Sequence, residues 1–136
     1  MPALLLDTCA IIFIAEGEPI EPKARRAVLA ALLGEGVLVS PVSALEIGML
    51  AARKGIAFRP DPATWLRDFL DRDGVRLAPL APEAAIAASF LPPPLHADPA
   101  DRLLIATSRA LDAPIVTRDR AILAYAKAGG VRAVGC

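Results

Sequence analysis

Very short apolar runs, each closed off by turn residues, constrain this chain more than any other feature. Four of them, residues 3–6, 36–39, 115–117 and 131–134, are apolar on both faces, and a weaker fifth lies at 75–78. Runs of this kind suit the strands of a parallel sheet covered on both sides. The segments between them carry helical signals. Pro22 opens one in which Ala24, Val28, Leu29, Leu32 and Leu33 recur at helical spacing, until Gly34 and Gly36 end it. Ser43 opens a second that runs to about Lys54, with Gly55 as its stop. Asp61-Pro62 starts a third, whose inward stripe is Trp65, Leu66, Phe69 and Leu70. Pro82 starts a short alanine-rich fourth, Asp98-Pro99 a fifth through Leu111, and residues 120–128 form the last. Strands alternating with helices call for right-handed crossovers and a three-layer α/β/α sandwich on a mostly parallel sheet of about five strands. At 136 residues the chain is expected to be a single domain over 1–136.

Such a sheet also says where function belongs. Each helix that follows a strand begins at the carboxyl edge, so helix N-termini crowd the crevice where ligands bind. Four acids fall there. Asp7 follows the first strand, Glu46 lies three residues after Ser43, Asp101 has the same offset from Asp98, and Asp119 follows residues 115–117. Each has an ordinary explanation. Ser43-Ala44-Leu45-Glu46 reads as a capping box, Asp98-Pro99-Ala100-Asp101 as a similar cap, and Asp7 and Asp119 as N-caps favoured by the helix dipole.

Their conjunction points further. Two carboxylates 4 Å apart repel by roughly 4 kcal/mol at an effective dielectric of about 20. Protonation or a bound cation relieves this. A hard divalent ion such as Mg²⁺ or Mn²⁺ takes oxygen ligands, whereas zinc would ask for Cys/His spacing that is absent here. An acid-lined crevice with such an ion suits phosphodiester hydrolysis. Two other acid-using α/β classes fit less well. A haloacid-dehalogenase phosphatase needs an aspartate where Cys9 stands, and a receiver domain needs one ending the strand at Ala78-Pro79. Gly34-Glu35-Gly36 precedes a strand and so does not form a phosphate loop.

Charge and hydropathy exclude other classes. Fifteen Lys+Arg balance fifteen Asp+Glu, which argues against a wholly cationic nucleic-acid module or an acidic tail. No apolar run is longer than that at residues 9–15, far short of the roughly 20 residues of a membrane span. No Lys or Arg precedes the Leu4-Leu5-Leu6 run, so a secretory signal is not expected, and a soluble cytoplasmic protein with reduced Cys9 and Cys136 is. Ile11, Ile12, Phe13 and Ile14, apolar all round a first helix, read as half core and half interface.

Four segments together resemble a known family: Leu4-Leu5-Leu6-Asp7-Thr8, the stretch 39–47 around Ser43 and Glu46, His96-Ala97-Asp98-Pro99-Ala100-Asp101-Arg102 continuing to Ala106, and Val116-Thr117-Arg118-Asp119. They are similar to PIN-domain ribonucleases, most of all to VapC-type toxins of prokaryotic toxin–antitoxin pairs. Each motif alone is unspecific; four in register over nearly the whole chain are specific. The resemblance implies an RNA endonuclease dependent on Mg²⁺ or Mn²⁺. Asp7 and Asp101 would be principal ligands, Glu46 a ligand directly or through water, and Asp119 a ligand or water-orienting group. Asp98 is a possible fifth, with its cap as the rival reading. Thr8 and Thr117 would be hydroxyl neighbours of the ligating acids. Arg102, Arg118 and Arg120 would clamp phosphates, or else pair with neighbouring acids. His96 would meet RNA or a scissile phosphate, or else stand simply solvated in its loop, the commoner case for a lone loop histidine. Cys9 and Ala100 depart from the family pattern, which often has histidine and an aromatic residue there. A homodimer and an antitoxin partner are also implied. A catalytically silent PIN-fold module that binds RNA or protein is the alternative function, and a metal-free α/β binding domain a third.

Overall fold

The computed structural model describes residues 2–136. Five strands, β1 (Leu4–Leu6), β2 (Val37–Val39), β3 (Val75–Leu77), β4 (Ile115–Thr117) and β5 (Ala133–Gly135), form one sheet in the order β3-β2-β1-β4-β5. Every pairing is parallel, with Leu5 opposite both Leu38 and Ile115. The helices are α1 (Thr8–Ala15), α2 (Pro22–Leu33), α3 (Pro41–Lys54), α4 (Pro62–Leu70), α5 (Pro82–Ala87), α6 (Pro99–Leu111) and α7 (Arg120–Lys127), with a 3₁₀ turn at Ala88–Phe90. The expected α/β sandwich is what forms.

Alternation along the strands builds two cores. Leu4, Leu6, Val37, Val39 and Val116 face one layer, where Ile11, Val28 and Phe69 pack against them. Leu5, Leu38 and Ile115 face the other, against Leu104 and Ile105 of α6 and Ile122 and Tyr125 of α7. Leu5 and Leu6 are wholly inaccessible to solvent, which explains why the runs are apolar on both faces. Among the described residues no helix is long and apolar enough to cross a membrane.

Two elements start two residues away from where the sequence reading puts them. β5 begins at Ala133 rather than Val131, because Val131 is buried in the turn ahead of the strand and pairing with Ile115 starts at Ala133. α3 begins at Pro41, with Ser40 as its N-cap accepting the Val42 N–H at 3.0 Å. Proline at the first helical position is compatible with that start, since it has no N–H to satisfy.

The chain steps outward from β1 to β2 and β3, then crosses back over β1 to β4 and β5. The order therefore reverses between β1 and β4, and a crevice opens at their carboxyl ends. The proline-rich loop that precedes α6 is held by Tyr125, whose hydroxyl donates to the Pro92 carbonyl at 2.7 Å. Gly130 packs directly on the buried Tyr125 ring, and a Cβ there would overlap it. Gly130→Ala is therefore expected to cost roughly 1–3 kcal/mol by overpacking. Urea unfolding measures this, and an unchanged midpoint would contradict the packing.

Candidate functional site

All four acids singled out in the sequence reach the crevice, each carried by a different element. Asp7 turns the chain from β1 into α1, its carboxylate accepting the Thr8 N–H at 2.7 Å. Asp119 links β4 to α7 and accepts the Ile122 N–H at 3.0 Å. Asp101 lies in the first turn of α6, behind the N-cap Asp98, whose carboxylate accepts from the N–H groups of Ala100 (2.9 Å) and Asp101 (3.4 Å). Glu46 projects from α3. With Asp98 they line one cleft of about 580 Å³, together with an apolar strip of Ile12, Met49 and Leu50 and two cations, Arg53 and Arg118.

Two hydroxyls tie the acids together. Thr117 donates to Asp7 at 2.6 Å and accepts the Asp119 N–H at 3.0 Å, so one buried side chain fixes the residues that follow both central strands. Thr8 donates to Glu46 at 2.5 Å and lies 3.0 Å from the buried Ser43 hydroxyl. Both threonines thus stand beside acids of the cleft, as the family likeness implied.

Three expectations need correction. The capping box at Ser43 does not form: Ser40 is the cap, which places Glu46 in the second turn and frees it to face the cleft. Among the described residues Arg102 pairs with no acid and does not line the cleft; its guanidinium donates instead to the carbonyls of Ala88 (3.0 Å), Leu95 (3.2 Å) and His96 (2.9 Å). His96 is not merely solvated, since its Nε2 lies 3.2 Å from Asp101 Oδ2. Arg118 does reach the cleft, stacked 3.9 Å over the Phe13 ring and donating to the Cys136 carbonyl at 2.9 Å. Arg120 is exposed on the opening turn of α7. The sequence reading missed Arg53, whose signal was its place seven residues after Glu46, two turns along the same helix face.

The chain's similarities agree with this geometry. The model of the PIN domain family matches residues 4–128. The chain belongs to the PIN-domain family. It is 29% identical over 126 residues to Ribonuclease VapC22 of Mycobacterium tuberculosis, an alignment covering 92% of this chain and 93% of that protein. In fold it is similar to VapBC2 from Rickettsia felis bound to a promoter DNA fragment (TM-score 0.72, 12% identity, 98% of each chain). A second likeness is to DNA-bound VapBC from Salmonella typhimurium (TM-score 0.64, 19% identity, 99% of this chain and 98% of that one).

In this PIN domain the acids crowd closely enough to perturb one another. Burial raises the Asp101 carboxyl to about 7, and the charges of Asp119, Asp98 and Asp7 push it the same way, against His96. Burial likewise raises Asp7, with the Asp119 charge adding to it, and raises Glu46, with Asp7, Asp98 and Asp119 adding. A cation would relieve all three. An oxygen each from Asp101 and Asp119 and a ring nitrogen of His96 lie within 4.8 Å of one another, close enough for the two carboxylates to share one ion. The carboxylate-rich donor set fits a hard divalent cation.

The raised carboxyls set a direction for stability against pH. Between about pH 4 and 7 the folded state holds protons that the unfolded chain has released, so this contribution is full below pH 4 and is lost as pH rises toward 7. Asp101→Asn removes part of the repulsion. In chelator, it is expected to stabilise the protein more at pH 8 than at pH 5, by on the order of 2 kcal/mol. Urea unfolding at the two pH values checks this; equal effects at both would contradict the electrostatic account.

Proposed function

We propose that the chain is a divalent-metal-dependent endoribonuclease, acting in the cytoplasm as the toxin of a toxin–antitoxin pair. The observation that carries the proposal is the meeting of Asp7, Glu46, Asp101 and Asp119 in one cleft at the reversal point of the sheet. Family membership and the likeness to a protein named as a ribonuclease support it. Asp7, Asp101 and Asp119 would hold Mg²⁺ or Mn²⁺, with Glu46 contributing directly or through water. The ion would polarise the scissile phosphate and make water more acidic. Thr8 and Thr117 keep Glu46 and Asp7 oriented. Arg118 and Arg53 supply positive charge at a cleft whose other charged residues are acids, suited to the flanking phosphates of a single strand.

The solved relatives are VapBC complexes, which supports an antitoxin as the partner here too. Its segment would lie on the strip of Ile12, Met49 and Leu50, and the partly buried Phe13 and Ile14 leave α1 able to serve a homodimer. With Mn²⁺ the purified chain is expected to cleave RNA, and chelator to stop it. Asp7→Asn and Asp101→Asn should each lower the rate by roughly 100-fold or more, about 2.7 kcal/mol of barrier. RNA binding with no cleavage at any divalent-ion concentration would instead favour the catalytically silent module.

A further inference from the structure

His96 sits beside Asp101 with both ring nitrogens near polar groups, and the hydrogen bond at one of them fixes where its proton is. Nδ1 accepts the backbone N–H of Asp98 at 3.1 Å. A nitrogen that accepts carries no proton, and a neutral imidazole has one, which must then be on Nε2. That nitrogen is the one 3.2 Å from Asp101 Oδ2. A histidine binding a cation through Nε2 needs a free lone pair there and its proton on Nδ1. Here that proton would point at the Asp98 N–H, donor against donor.

We propose that His96 is a positioning residue for Asp101, an Nε2–H donor that orients its carboxylate toward the cation and does not itself ligate. The inference rests on the metal-dependent reading of the same cleft. Among the described residues His96 supplies the one side-chain nitrogen within ion-pair distance of that carboxylate, at Oδ2. The imidazole is well placed for the task because its own backbone is pinned. Arg102 donates to the carbonyls of Ala88, Leu95 and His96, and Tyr125 holds Pro92 in the same loop. Arg102 therefore acts on the site at one remove, by fixing the loop that carries the donor. Outer partners that orient ligating groups in this way typically change metal affinity by 10- to 100-fold when removed.

Two substitutions separate orienting from loop capping. Asparagine places an amide oxygen near the Nδ1 position and keeps the bond to Asp98 N–H, with no donor at the Nε2 position. Glutamine places an amide nitrogen near Nε2 and keeps the donor to Asp101. Mn²⁺ titration calorimetry is expected to show about tenfold weaker binding for His96→Asn and recovery of most of that loss for His96→Gln. The imidazole ¹⁵N spectrum of the Mg²⁺-loaded wild type is expected to show a protonated Nε2 and a bare Nδ1. A His96→Asn variant as tight as wild type, or a His96→Gln variant no tighter than the Asn one, overturns the proposal. So does an unprotonated Nε2 in the loaded protein, which would make His96 a ligand. Failure of the underlying reading looks different: wild type would not bind Mn²⁺, or Asp101→Asn would bind it as well as wild type.

Discussion

In a parallel sheet all strands point one way, so the helices that follow them all begin at one edge, and everything in this protein's candidate site depends on that. β1, β2 and β4 deliver α1, α3 and α7 to the same rim, and α6 arrives there from the long crossover. Backbone N–H groups at helix starts attract acidic side chains. The fold thus gathers carboxylates as a consequence of satisfying its own helix ends, and at the reversal between β1 and β4 it gathers them on two sides of one crevice.

Capping and site chemistry are consequently not rivals here. Asp7, Asp98 and Asp119 each accept backbone N–H groups at a helix start, and each also lines the cleft. The magnitudes decide which effect shapes the site. A cap contributes about 1 kcal/mol, while two close carboxylates at intermediate dielectric oppose each other by several times that. Burial, with repulsion adding to it, wins, which is why Asp7, Glu46 and Asp101 are all held above their ordinary range. The neutral total of fifteen against fifteen conceals a locally negative pocket that protons or a cation must balance.

Much of this was legible in the sequence, for physical reasons that also mark where it stopped. Short two-faced apolar runs specify buried parallel strands, and strand-following acids specify the edge, so the sheet and the four carboxylates could be placed. β5 was displaced by two residues because Val131 is buried as a turn residue and hydropathy does not distinguish that from a strand. Ser40 and Ser43 are both good caps in isolation, and only the position of Pro41 at the first helical residue selects Ser40. The contacts of His96 and Arg102 were not legible for a different reason. Their partners are a carboxylate and three backbone carbonyls brought near by the folded loop before α6, and no spacing rule encodes a loop's path. Arg53 was missed because its relevance comes from the cleft wall, not from any motif.

The central claim is that these acids form a divalent-cation site. Anomalous X-ray diffraction from crystals grown with Mn²⁺ tests it most directly. The account predicts an anomalous peak among the carboxylates of Asp7, Asp101 and Asp119, lost in Asp101→Asn crystals grown the same way. A cleft without such a peak at saturating Mn²⁺, or one that keeps it undiminished in the variant, would contradict it.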